Sequence, residues 1–139
     1  MPRQQLWLSF KPYEVNMSPG SIAAAPWSYL APVVLLVCSN LFMTLAWYGH
    51  LKFKSVPLLL VIFVSWGIAF VEYCFAVPAN RIGSAVYSPA ELKTIQEVIT
   101  LAVFAGFTAV YFKDPLSPAQ GAGFLLIALG AALVFRGQT

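Results

Sequence analysis

Residues 56–77 read VPLLLVIFVSWGIAFVEYCFAV, twenty-two positions with one charged side chain, Glu72. As an α-helix rising about 1.5 Å per residue, this run is about 33 Å long, enough to cross roughly 30 Å of hydrocarbon. Its apolar residues do not alternate with polar ones, which excludes a strand of a transmembrane barrel. Three further runs of similar character occupy 27–48, 89–112 and 118–136. The polar connections between them are short, and short connections force antiparallel neighbours. The expected fold class is therefore an all-α integral membrane protein, a four-transmembrane-helix up-down bundle over residues 27–139, preceded by a tail at residues 1–26. Composition agrees. The chain has 139 residues, of which 60% are hydrophobic and 9% charged, with a mean hydropathy of +0.78. A soluble domain carries about 25% charged residues, so a cytosolic enzyme, a nucleic-acid-binding module and a disordered chain are all disfavoured.

The helix starts are clearly written. Ser88-Pro89-Ala90-Glu91 and Ser117-Pro118-Ala119-Gln120 repeat one device: a Ser that caps, Pro at the first helical position, and Glu or Gln reaching back from the third. Pro57 is expected to open the second span, with Pro78 and Pro115 closing the second and third. The first 26 residues lack the apolar stretch of a signal peptide and read as a flexible tail, with Met17 as an alternative start. Two Cys and one His supply neither a disulfide framework nor a zinc site, so no metal and no cofactor is expected.

Ionisable groups inside hydrocarbon cost about 2.5–3.5 kcal/mol on insertion scales and so default to function. Two carboxylates qualify, Glu72 near the end of the second span and Glu97 eight residues into the third. The uncharged run 98–112 is about 22 Å long, too short to cross alone, so the turn carrying Glu97 must enter the membrane. Both acids lie on the side of the termini, where Arg81 and Lys93 are near enough to pair with one or both. Two readings remain open: structural pairing with those cations, or a site that binds a cation or proton. On the third span, Lys93, Glu97, Thr100, Leu101, Phe104 and Thr108 recur at helical spacing. On the first, Asn40, Met43, Thr44 and Trp47 form a second semi-polar stripe. Asn40 serves either as interhelical glue or as cavity lining, and mid-depth Trp66 either packs in the bundle or faces a cavity.

Small residues mark close approach between membrane helices. Ala119, Gly123 and Gly130 share a face of the fourth span and make a candidate dimer seam. The Lys and Arg count is five on the side of the termini (Arg3, Lys11, Arg81, Lys93, Arg136) and three opposite (Lys52, Lys54, Lys113). It falls to three against three if the chain starts at Met17. Such a flat balance barely selects an orientation. It fits antiparallel pairing of oppositely inserted copies, or an orientation set by a partner.

The stretch Leu41-Phe42-Met43-Thr44-Leu45-Ala46-Trp47-Tyr48-Gly49-His50-Leu51-Lys52-Phe53 resembles a small four-helix family of the drug/metabolite transporter superfamily. Pro78-Ala79-Asn80-Arg81-Ile82-Gly83 and the run from Leu92-Lys93-Thr94-Ile95-Gln96-Glu97 onward carry the same resemblance, which extends from about Leu30 to Phe135. Asp114-Pro115-Leu116, followed by Gly121, Gly123 and Gly130, looks like the last two helices of the superfamily's transport repeat. The resemblance implies a half-transporter unit, four helices that pair as a homodimer around a central path. In the small multidrug resistance proteins of that superfamily the essential glutamate lies in the first helix. Here the first span has no acid, only Asn40, so coupling would fall to Glu72 or Glu97.

The expected function is thus a secondary transporter of small metabolites or organic cations, with the lipid bilayer and a second copy as partners and no nucleic acid. A bacterial inner membrane is the expected location. Glu97 and Glu72 would bear the charge, Arg81 and Lys93 would tune them, and Asn40, Trp66 and Thr100 would line the path. The alternative is a non-transporting membrane subunit or scaffold docking a larger partner. An enzyme is not expected, because there is no Ser-His-acid set and no metal-ligand spacing.

Overall fold

A computed structural model describes residues 26–137; apart from Pro26, the expected N-terminal tail lies outside the described residues. Four helices follow one another: α1 (Trp27–Tyr48), α2 (Leu58–Gly83), α3 (Pro89–Phe107) and α4 (Pro118–Arg136). Gly49–Lys52 adds a 3-10 turn after α1, and Thr108–Phe112 continues α3 as a π turn. With their short extensions, all four are long and apolar enough to cross a membrane. The chain is an all-α multi-pass membrane protein.

Both expected capping boxes form. The Ser88 backbone N–H donates to Glu91 Oε2 (2.8 Å) and the Glu91 N–H to Ser88 Oγ (3.2 Å). Ser117 and Gln120 repeat the exchange at 2.8 and 3.3 Å. Each box satisfies N–H groups that a helix start leaves without carbonyl partners. At the far end of α3, the π turn closes on Lys113 in the left-handed region (φ 57°). The Asp114 N–H then reaches back to Thr108 O at 3.1 Å.

The second span departs from expectation. Pro78 does not end it; α2 runs through Pro78 to Gly83. A proline removes one backbone N–H, a loss that membrane helices tolerate when neighbours hold the chain. Here Ala79, one residue on, is fully buried, and Asn80 Nδ2 donates back to Ala76 O at 3.0 Å. At Gly83 the chain passes directly under its neighbours: an added Cβ would sit 2.5 Å from Leu92 Cδ2 and 3.2 Å from Pro32 Cβ. A larger residue here would force Leu92 and Pro32 to shift. The connection to α3 then shrinks to a tight turn, with the Tyr87 N–H on Gly83 O at 2.8 Å. Tyr87 also donates its hydroxyl to Tyr29 O (3.1 Å), tying that turn to the start of α1.

Packing radiates from α1. It lies along most of α2, with Phe42 stacked on Phe75 at 5.5 Å, and along part of α3. The helix α4 rests chiefly on α3 and buries no residue of its own. The interior is inverted relative to a soluble bundle. Among the described residues, its buried apolar side chains include Pro32, Leu36, Ala46, Ala79 and Leu92, whereas Ser28, Ser39, Asn40, Thr44, Glu72 and Thr94 are buried polar residues. Large apolar side chains such as Leu59, Phe63 and Leu126 point outward. In lipid there is no hydrophobic gain from hiding them, so contacts and hydrogen bonds between helices order the interior instead.

Candidate functional site

Ser39 and Asn40 are adjacent near the middle of α1, and both are buried. Consecutive positions on a helix point about 100° apart, so the pair serves two different neighbours. Ser39 Oγ donates to Glu72 Oε1 of α2 at 2.6 Å. Asn40 Oδ1 accepts from Thr100 Oγ1 of α3 at 2.5 Å, while Asn40 Nδ2 donates to Leu36 O at 2.8 Å. The Thr100 hydroxyl also lies 2.8 Å from Gln96 O.

Glu72 is 3% exposed, and its second oxygen, Oε2, is buried with no hydrogen-bond partner among the described residues. A buried carboxylate oxygen without a donor is costly, and a full unpaired charge more so. The position is therefore open to a proton or a cation that the described side chains do not supply.

Glu97 sits differently. It forms an ion pair with Lys93, one turn earlier on α3, and both side chains are largely exposed. The two acids are not brought into one cluster: Glu72 faces α1, whereas Glu97 lies on an outer flank of α3. Arg81 is exposed, nine residues beyond Glu72 and so about 14 Å further along α2.

On the other side of α1 a cleft of about 470 Å³ opens between α1, α3 and α4, within the 300–1,000 Å³ range of ligand pockets. The α1 stripe Asn40, Met43, Thr44 and Trp47 lines it as the spacing anticipates. From α3 come Gln96, Thr100, Leu101 and Phe104, and not Lys93 or Glu97. Phe104 stands between Tyr48 (ring centroids 5.0 Å) and Phe124 of α4 (6.4 Å). Trp47 forms part of the wall, with its indole N–H on Met43 Sδ at 2.8 Å. Beyond it, the Tyr111 hydroxyl donates to Gly49 O (2.8 Å) and Lys52 lies over the Tyr111 ring, so the end of α3 is fastened to the turn after α1.

Trp66 does not join this cleft. It is 69% exposed and lines a separate crevice between α1 and α2. Of the proposed seam on α4, Ala119 and Gly130 are exposed and Gly123 is half-buried, and a Cβ added at either glycine meets nothing within 4 Å.

Sequence reasoning passed over Ser39 and Gln96. The signal for Ser39 was its adjacency to Asn40, since two neighbouring polar residues in mid-span must face two partners. Gln96 was hidden by Glu97: one position apart, only one of the two can face the cleft.

Residues 32–135 fit the family model described as "Putative member of DMT superfamily (DUF486)". No curated protein and no solved structure matches the chain.

Proposed function

Because the chain belongs to the DUF486 family of the drug/metabolite transporter superfamily, we propose that it is a secondary transporter of small metabolites, working as a homodimer in a bacterial inner membrane. In this reading, Glu72 is the intramembrane carboxylate that carries the coupling proton or cation. The supporting observation is the buried Oε2 of Glu72, which has no partner among the described residues.

The arrangement suggests how coupling would work. Loading and unloading Glu72 changes what Ser39 must hold on the α2 side of α1. The next residue, Asn40, holds α3 at the wall of the cleft. A small rotation or tilt of α1 therefore alters both contacts together, and one half rocking against the other around a mid-membrane site is the usual form of alternating access. The open face of α4, with Ala119, Gly123 and Gly130, is the surface through which two copies pair. Lys93 neutralises Glu97 at the side of the bundle and takes no part in coupling.

The experiment is uptake by proteoliposomes from a defined metabolite mixture, with and without an imposed pH or sodium gradient, read by mass spectrometry of the vesicle contents. Gradient-dependent movement of at least one solute is expected for the unaltered protein and for Glu97→Gln, and none for Glu72→Gln. Equal movement by Glu72→Gln, or no gradient-dependent movement by any form, would overturn the reading.

A further inference from the structure

We propose that the cleft between α1, α3 and α4 selects an uncharged aromatic molecule bearing a neutral hydrogen-bonding group, with Gln96 as its polar anchor. This deepens the transporter reading and rests on its assignment of the cleft as the substrate site.

The lining carries no charge. Asp, Glu, Lys, Arg and His are all absent from its wall, and Glu72, the buried acid nearby, belongs to the α2 side of α1. A cation entering the cleft would shed its water without meeting a carboxylate, and an anion would meet no positive group. What the cleft does offer is unused neutral hydrogen-bonding capacity. The Asn40 amide already spends one N–H on Leu36 O and its oxygen on Thr100. The Gln96 side-chain amide makes no hydrogen bond to a described residue, leaving a donor and an acceptor free. The Thr44 hydroxyl, on a residue only 4% exposed, is likewise unpartnered among the described residues. The Thr44 oxygen is not among the fully buried atoms left without a partner, so it is accessible at the cleft wall and can pair with a polar group of a ligand.

The polar and aromatic groups are arranged along the cleft. α1 and α3 run in the same direction, and the Asn40–Thr100 bond fixes their register. Gln96 lies one turn before Thr100, while Thr44, Tyr48 and Phe104 lie one or two turns beyond the bond. Gln96 and Thr44 are therefore about 12 Å apart along the bundle. Aromatic rings gather at one end, where Tyr48, Phe104 and Phe124 meet, and stack favourably with another flat ring. An elongated ligand with a ring at that end and a carboxamide or similar group toward Gln96 matches both ends.

The test compares three molecules of one shape that differ in charge: indole-3-acetamide (neutral), tryptamine (cationic) and indole-3-acetate (anionic). Binding of the radiolabelled probes to full-length protein in lipid nanodiscs is measured by equilibrium dialysis against empty nanodiscs. Saturable binding of indole-3-acetamide is expected, at least tenfold tighter than either charged probe. Gln96→Leu should weaken it at least tenfold, and Gln96→Asn, which keeps an amide, should restore part of that loss. Tryptamine binding as tight as the amide, no saturable amide binding, or unchanged affinity in Gln96→Leu would overturn the proposal. The assay imposes no gradient and is repeated with Glu72→Gln. Saturable amide binding together with equal gradient-driven movement by Glu72→Gln keeps this inference and removes the coupling reading, whereas no saturable amide binding together with movement lost only in Glu72→Gln does the opposite.

Discussion

Ser39 Oγ and Glu72 Oε1 lie 2.6 Å apart in the middle of the bundle, one hydroxyl holding one of the two oxygens of a buried carboxylate. The other oxygen has no partner among the described residues. A chain built only for stability would gain by replacing such a pair with apolar side chains, because a half-satisfied buried acid is worse than none. The position of Ser39 on the helix that also holds α3 through Asn40 is the feature on which the coupling proposal stands.

Removing the hydroxyl alone should therefore hurt more than removing both groups. Ser39→Ala is expected to lower unfolding stability in bicelles by about 1–2 kcal/mol, since interhelical hydrogen bonds in membranes reach about 1.7 kcal/mol. Ser39→Ala combined with Glu72→Leu should recover at least that loss. A double variant weaker than Ser39→Ala would show that Glu72 is a structural strut.

The close approach at Gly83 can be measured in the same way. Gly83→Ala is expected to cost about 1–3 kcal/mol through overpacking, because the new Cβ meets Leu92 Cδ2. Leu92→Ala in the same chain should relieve part of that penalty. Gly67→Ala, where nothing lies within 4 Å, should be neutral or stabilising by up to about 1 kcal/mol through helix propensity.

On α4, the expected response is in association and not in folding. A Cβ added at Gly123 or Gly130 meets nothing within 4 Å in the single chain, so Gly123→Ala and Gly130→Ala should leave monomer stability unchanged or raised by up to about 1 kcal/mol through helix propensity. The dimer fraction, measured by energy transfer between labelled copies diluted in bilayers, should fall at least tenfold. Unchanged association would move the pairing surface elsewhere.

The Lys93–Glu97 pair should contribute little. Exposed pairs one turn apart on a helix contribute about 0.3–0.5 kcal/mol, so Glu97→Gln and Lys93→Met should each shift stability by no more than that. A larger loss would mean that Glu97 meets a partner outside this single chain.

The number of helices, where three of them begin, and the solvent they face are legible in the chain alone. These are properties of local composition: long apolar runs, Ser-Pro-Ala-Glu/Gln starts, and too few charges for a water-facing surface. It also held the α1 stripe from Asn40 to Trp47, because a period of 3.6 places those residues on one face whatever packs against it. What it did not determine was which polar residue faces which neighbour. Glu72 and Glu97 look alike as acids inside apolar runs, yet one is sealed against Ser39 and the other lies outside beside Lys93. Pro78 looks like a stop, yet burial of Ala79 and the contact at Gly83 carry α2 past it. Only the tertiary structure decided these, because they depend on the rotation of each helix about its axis, and that rotation is set by contacts between residues far apart in the chain.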